Sequence, residues 1–407
     1  MYGAVLTTIK SLNAVMQIYG PTQSKKSTLS HLGLSHYGSG FIDGREYRSP
    51  RDWISSTADL EGTMFTCKDV PLIIDDYAPQ FSSAQESKTL AKTAHTVVRM
   101  VGNRSSRGRR NADMSARALF PPRGLVLMTA EQPLTGQSVV GRTIVVPIEY
   151  GAVDVDRLSA GQAVHDRYSV AMAGYVQWLI ANWERVKDES NPLIAAWLWS
   201  LRGAFPNQDR LSDYYAALRL GLHWALTFGE AIGAIDQAVC LEEAYSIDLL
   251  ALLEDQSSRV ADQSPVLKFF MALEEMLGAE KLVLLPRSTR NLAGDEVSPD
   301  VPYGVELIGW KVPEKRQVWL LMAPALTAVK EYWNGLDERF DTLLDALRRE
   351  IWQHGDVAER DERQLEPSKW INKKYGTRRV LVVDADRVRE KLGVDLLGEN
   401  SEIESDA

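Results

Sequence analysis

Four short apolar runs stand out in the first 150 residues, within Ala14–Tyr19, Val70–Ile74, Gly124–Met128 and Thr143–Ile148. Each has the length of a strand, is rich in branched residues and stops at polar or turn-forming positions, the pattern of strands covered on both faces. Past Tyr150 the spacing changes. Apolar residues recur at i, i+3 and i+4 through Ala163–Val186, Pro192–Leu201, Leu211–Ile235 and Val239–Leu253, which predicts helices. Tyr214–Phe228 is apolar almost all round and reads as the central helix of a bundle. A polar stretch at Gln256–Ser264 precedes an amphipathic helix at Val266–Leu277. The rest mixes types: strands at Lys281–Leu285, Val305–Trp310 and Val318–Met322, a Gly/Pro/Asp-rich loop at 288–304, helices at Ala325–Leu336 and Phe340–Trp352, and a basic hairpin turning at Tyr375-Gly376.

These changes of texture divide the chain into residues 1–150 (a parallel α/β domain), 151–263 (a helical bundle), 264–398 (an α+β domain of winged-helix-like composition) and 399–407, an acidic tail expected to be disordered. At 407 residues and 45% hydrophobic content the chain can bury two or three cores. No stretch of about 18 uninterrupted apolar residues predicts a membrane span, and the first residues lack the basic start and long apolar block of a signal peptide. Cys67 and Cys240 form no metal-ligand spacing with the six histidines, and are expected as small buried residues in a reducing cytoplasm. Trp178, Trp183, Trp197, Trp199 and Trp224 are expected in the helical core.

The chemistry gathers at the ends of the predicted strands. After Tyr19 the chain reads Gly20-Pro21-Thr22-Gln23-Ser24-Lys25-Lys26-Ser27-Thr28. In the pattern G-x-x-x-x-G-K-[ST], backbone N–H groups wrap phosphate, the lysine neutralises it and the hydroxyl holds Mg²⁺. Gly20, Lys26 and Ser27 fill three of the fixed places, while Lys25 stands where the second glycine belongs, a position favouring a backbone with φ > 0. The second run ends in Asp75-Asp76: Asp75 suits a Mg²⁺ shell, and Asp76 suits a carboxylate that orients or deprotonates an attacking water. The third ends in Thr129-Ala130-Glu131, where a polar side chain can meet the γ-phosphate or that water. The fourth follows Ser138-Val-Val-Gly-Arg142. Ligands collect at the carboxyl ends of parallel strands, so the three decorated ends together predict a nucleoside triphosphate site.

The order of P-loop, Asp-Asp strand end, Thr-x-Glu strand end and following arginine resembles the AAA+ ring ATPases, in particular the helicases of phages, plasmids and integrative elements. The Asp-Asp pair and compact spacing are similar to superfamily 3 helicases, and Ser56–Glu61 is similar to the mobile-element group. The resemblance covers residues 14–150 well and the remainder loosely. It implies ATP and Mg²⁺ as cofactors and hydrolysis between subunits of a ring, by default a hexamer, with Thr129 as a sensor and Arg142 as a finger reaching the neighbour's γ-phosphate. The closeness of the P-loop to Met1 makes a primase or origin-binding domain plausible, on a longer parent or as a separate partner chain. Rival readings are a nucleotide-dependent DNA- or protein-binding scaffold, its turnover weakened by Lys25, and a motor that remodels protein complexes. On the helical segment, Arg210 or Arg219 is a weaker candidate for a second sensor.

Charge refines this picture. The net charge is −9, yet Arg99–Arg123 contains seven arginines against one acid, Asp113. The run around Arg104, Arg107, Arg109 and Arg110 is rich in Gly, Ser and Asn and reads as a loop. In the ring ATPases it resembles, an insert here faces the central channel, which implies DNA contact; a solvated loop or contact with a neighbour's nucleotide are the alternatives. Arginine forks grip phosphate oxygens and stack on bases. Lys373, Lys374, Arg378 and Arg379 flank the predicted hairpin tip and suit a wing lying along DNA, although a protein-docking domain fits the same composition.

Overall fold

A computed structural model describes residues 1–42, 51–79, 83–108, 113, 115, 118–206, 208–287, 289–290, 296–297, 299–336, 340–359 and 365–398. The chain forms two units, Met1–Val260 and Ala261–Ala407.

The first unit is built on five parallel strands: β1 (Val15–Tyr19), β2 (Arg51–Asp52), β3 (Pro71–Tyr77), β4 (Leu125–Ala130) and β5 (Thr143–Pro147), in the order β2-β3-β4-β1-β5. Side chains alternate across this sheet. Val15, Leu72, Ile74, Val126 and Met128 pack with Leu60, Met64, Ala94, Val97, Val98 and Val101 from α2 (Thr57–Thr66) and α3 (Ala84–Asn103). Ile18, Ile73, Leu127 and Ile148 face the other way, onto Leu34 of α1 (Lys26–Leu34). Both faces are covered, which is why the strands read as apolar runs rather than alternating ones. Local signals start the flanking helices: Ser56 caps α2 by accepting from the Asp59 N–H, and Ser83 forms a reciprocal capping box with Glu86. A short helix α4 (Gln137–Val140) leads into β5.

Five helices follow: α5 (Val155–Ala163), α6 (His165–Ala181), α7 (Trp183–Ser200), α8 (Asp209–Ala231) and α9 (Ala238–Asp262). The last four share one core with the chain's start and the sheet, in which Leu6, Ala14 and Ile144 meet Tyr175, Tyr214 and Trp224. Two expected boundaries differ. The helix read as Ala163–Val186 breaks at Asn182, whose amide Nδ2 bonds back to the Trp178 carbonyl, and Pro192 lies inside α7 rather than opening it. Gln256 is not part of a polar boundary. It is fully buried in α9, its Oε1 accepts from the Val145 N–H at 3.1 Å and its Nε2 donates to the Val140 carbonyl at 2.8 Å. One amide thus pairs an N–H of β5, an edge strand, and a carbonyl at the end of α4. Trp199 is not core: it is 67% exposed, with the Arg202 guanidinium 4.1 Å from its ring centre. Cys240 is exposed and Cys67 half-buried, because α9 turns position 240 to solvent.

The second unit begins with α10 (Pro265–Gly278), capped by Ser264, and carries β6 (Leu282–Pro286), the two-residue pair β7 (Thr289–Arg290) and β8 (Glu296–Val297), β9 (Glu306–Val312), β10 (Gln317–Leu320), α11 (Met322–Gly335), α12 (Leu344–His354), the antiparallel pair β11 (Ser368–Trp370) and β12 (Thr377–Arg379), β13 (Leu381–Asp384) and α13 (Ala385–Leu392). Its main sheet is ordered β13-β10-β9-β6, with β6 and β9 parallel and the other pairs antiparallel. Residues of all four helices, among them Phe269, Val329, Ile351 and Val388, cover one face. Trp310, Trp319, Ile371 and Val380 form a smaller core on the other, beside the β11–β12 hairpin. Met322 opens α11 instead of ending a strand. The tail 399–407 lies outside the described residues.

Candidate functional site

The loop after β1 is held at both ends. The Gly20 N–H donates to the Ala130 carbonyl at 3.1 Å, and a Cβ on Gly20 would collide with the Ile148 carbonyl oxygen. Tyr150 reaches over to donate its hydroxyl to the Thr22 carbonyl at 2.7 Å. Gln23 and Lys25 have φ of 68° and 70°. Position 25 therefore keeps the left-handed backbone that glycine ordinarily supplies, at a cost of about 1 kcal/mol for a residue with a Cβ. The Lys25 side chain is exposed, and with Gln23, Lys26, Ser27 and Thr28 it lines a shallow hollow.

Lys26, the first residue of α1, is 8% exposed. Its Nζ donates to the Gly20 and Pro21 carbonyls, each at 2.7 Å, and approaches the buried Ser24 hydroxyl at 3.5 Å. Burial lowers its pKa, against the upward pull of Glu131, Asp75 and Asp76. A buried ammonium resting on neutral carbonyls at a helix N-terminus is suited to receive a phosphate. Next to it, Ser27 donates to Asp75 Oδ1 at 2.9 Å. The Thr129 hydroxyl donates to the same oxygen and accepts the Asp76 N–H at 3.0 Å. The ends of β3 and β4 and the start of α1 are joined through these three residues.

Asp76 has φ of 65°, and the β3–β4 register shifts between Ile74 and Tyr77. This bulge re-aims the Asp76 carboxylate into the site. Burial raises its pKa, helped by the nearby charges of Asp75 and Glu131 and, more weakly, Asp52. Asp52, beside Asp75 on β2, was not singled out from the sequence; a two-residue edge strand carries too little pattern to flag it. Glu131 accepts from the Thr22 hydroxyl at 2.6 Å, closing one side of a cavity of about 200 Å³ lined by Thr22, Gln23, Lys26, Ser27, Asp76, Thr129, Ala130 and Glu131. Among the described residues no cluster of three His, Cys, Asp or Glu side chains forms a metal site. A hydroxyl and one carboxylate, completed by phosphate oxygens, are what Mg²⁺ takes in such sites, so Ser27 and Asp75 fit it.

The remaining sequence candidates lie elsewhere. Arg142 precedes β5 at the amino ends of the strands, where Val15 pairs with Thr143, about 16 Å of strand away from Gly20. Its Nε donates to Asn103 Oδ1 at 3.1 Å and its Nη1 to the Ser138 carbonyl at 2.5 Å. Its pKa is lowered by burial and by Arg210 and Arg99 nearby. Arg210 thus belongs to this cluster and not to the loop after β1, and Arg219 is bound to Glu242 and the Tyr215 hydroxyl. The arginine that α9 does bring beside the loop is Arg259, 5.7 Å above the Tyr19 ring.

Arg104 caps α3 in the left-handed region and donates to Asn13 Oδ1 and the Pro122 carbonyl. Arg107 is fixed to Glu61, a carboxylate 4% exposed. Both guanidinium groups are engaged within the protein, and Arg109 and Arg110 lie outside the described residues. On the hairpin, Lys373, Arg378 and Arg379 are exposed, while Lys374 is bonded to Asp300.

No family model and no curated protein matches the chain. Among solved structures it matches the SCCmec type IV Cch active helicase, with a TM-score of 0.58 at 15% identity, over 97% of this chain and 68% of that one. The likeness is one of fold. The chain has a helicase-like architecture in which a parallel sheet with flanking helices forms a P-loop-like α/β domain. Among the described residues, no helix is long and apolar enough to cross a membrane.

Proposed function

We propose that the protein is an ATP-hydrolysing motor that translocates on or unwinds DNA during replication of a mobile element. The observation that carries this reading is the Ser27–Asp75–Thr129 hydrogen-bond chain beside the buried Lys26 ammonium, at the carboxyl ends of a parallel sheet. Lys26 exchanges its loop carbonyls for the β- and γ-phosphates, and the loop N–H groups of residues 22–28 wrap them. Ser27 and Asp75 hold the cation. The Mg²⁺ that they would hold supplies positive charge that offsets that of the phosphates. Asp76, with its raised pKa, takes the proton of the attacking water as its oxygen bonds to the γ-phosphorus and the bond to ADP breaks. Thr129 keeps both aspartates in register, and Glu131 bounds the space in which the water sits.

In this reading Arg142 acts on the nucleotide of a neighbouring subunit, since it stands at the opposite end of the strands from its own loop. Repeated head-to-tail contact closes a ring, by default a hexamer. The DNA and the mobile-element setting are supported by the fold's likeness to an SCCmec helicase; a primase or origin-binding partner and a cytoplasmic location belong to the same proposal. A second reading, a nucleotide-dependent scaffold with weak turnover, rests on the side chain that Lys25 brings to a loop position glycine ordinarily fills.

Steady-state ATPase activity, measured without DNA and with single-stranded and forked DNA, tests both. DNA-stimulated turnover is expected. Tight nucleotide binding without turnover would favour the scaffold, and turnover indifferent to DNA would favour a motor acting on protein complexes.

A further inference from the structure

The outward face of the β11–β12 hairpin pairs an exposed indole with unpaired cations on a rigid support. Ser368 stands opposite Arg379 and Trp370 opposite Thr377, so these four side chains share one face, and all four are exposed. Trp370 is 58% exposed. Arg379 lies diagonally across from it, within reach of a group stacked on the ring. Lys373 at the turn adds a further exposed cation, Arg378 opposite Lys369 is exposed on the hairpin's other face, and among the described residues no carboxylate is paired with Lys373, Arg378 or Arg379. Lys369, by contrast, is tied to Glu359 at 2.5 Å over the Trp319 ring, and Lys374 is tied to Asp300. The hairpin therefore divides its cations between anchors and free ends.

Its support is fixed. Ile371 and Val380 are buried, 1% and 0% exposed, in the smaller core of the second unit. Asn372 is buried too. Its Oδ1 accepts the N–H groups of Lys374 and Tyr375 at 3.1 and 3.0 Å, and its Nδ2 donates to the Arg287 carbonyl at 2.8 Å. Tyr375 packs edge-on against Trp310, ring centres 5.5 Å apart, and donates its hydroxyl to the Pro299 carbonyl. An aromatic face held still loses little entropy when a flat ligand lands on it.

We infer that Trp370 is a stacking platform for an unpaired base of single-stranded DNA, whose flanking phosphates are held by Arg379 and Lys373. This rests on the DNA-motor reading and extends it with a residue and a strand state. Charge complementarity selects a polyanion in a chain that is otherwise acidic. The indole selects an unstacked base, because base faces inside a duplex are covered by their neighbours.

The test is fluorescence anisotropy of a labelled oligothymidylate titrated with the full chain across a salt series. Trp370→Ala should weaken binding roughly tenfold, Trp370→Phe should retain most of the affinity, and neither should change the slope of log Kd against log salt. Arg379→Ala and Lys373→Ala should each lower that slope by about 0.7. Trp370 is a surface residue, so the variants should keep the wild-type melting temperature. Wild-type affinity in Trp370→Ala, a Trp370→Phe variant as weak as Trp370→Ala, or equal competition by fully paired duplex overturns the stacking platform alone. Failure of the wild-type chain to bind any oligonucleotide overturns it together with the DNA-motor reading.

Discussion

The Ser27 hydroxyl donates to Asp75 Oδ1 across 2.9 Å, and this bond fastens the first turn of α1 to the carboxyl end of β3, two strands from β1 in the sheet. A cation that takes both oxygens as ligands replaces a contact already near its final geometry, so little reorganisation is needed on binding. Thr129 holds the arrangement from β4 by bonding Asp75 with its hydroxyl hydrogen and the Asp76 N–H with its oxygen.

Lys26 and Asp76 supply charge that no neighbour can replace. Lys26→Ala and Asp76→Asn are each expected to lower ATP turnover by at least about a hundredfold, with Asp76→Asn still binding ATP·Mg²⁺ in equilibrium titration. Wild-type turnover in Lys26→Ala would refute the phosphate-loop assignment.

Lys25 occupies a left-handed backbone position that glycine adopts without strain. Lys25→Gly should stabilise the protein by up to about 1 kcal/mol, the strain relieved less the extra freedom of an unfolded glycine. Turnover should be unchanged or raised. A marked loss of ATP affinity in the same variant would instead make the Lys25 side chain a phosphate contact.

The raised pKa of Asp76 means that the folded protein binds this proton more tightly than the unfolded chain does. Its contribution to stability is therefore fully present below the ordinary carboxylate pKa and is lost as pH rises through the raised value. Asp76→Asn should melt at a higher temperature than wild type at neutral pH, and the difference should shrink as the solution is acidified into the carboxylate range. Asparagine's tolerance of φ 65° adds a constant part. A gap in melting temperature that does not change with pH would mean that Asp76 titrates normally.

Arg142→Ala should depress turnover by about a thousandfold if it stabilises charge on a neighbour's phosphate. Mixing Arg142→Ala with Lys26→Ala subunits should then restore part of the activity, because some interfaces combine an intact finger with an intact loop. Proven mixing with no recovery would confine Arg142 to packing α3 against the Ser138 turn, where it already bonds Asn103 and Ser138.

What the sequence determined by itself is local. Strands buried on both faces betray themselves as unbroken apolar runs. Their polar ends at Lys26-Ser27, Asp75-Asp76 and Thr129-Ala-Glu131 are adjacent in the chain to the strands that carry them. The departure at Lys25 was equally visible, though its φ was not. The tertiary structure alone decided which cations face inward. Arg107 meets Glu61 from 46 residues away and Arg104 meets Asn13 from 91 away, and no periodicity encodes a partner at such a distance. Gln256 looked like part of a polar boundary because a side chain that completes a strand edge has the composition of one facing water. Trp199 looked like core because helical spacing gives the phase of an apolar face but not where the neighbouring helix stops covering it. Arg210 joins Arg142, and Arg259 rather than Arg219 reaches Tyr19 at the end of β1, for a related reason: the crossing of α8 and α9 over the sheet is set by packing among Trp224, Tyr214, Leu253 and the start of the chain, contacts that exist only once all of them have folded together.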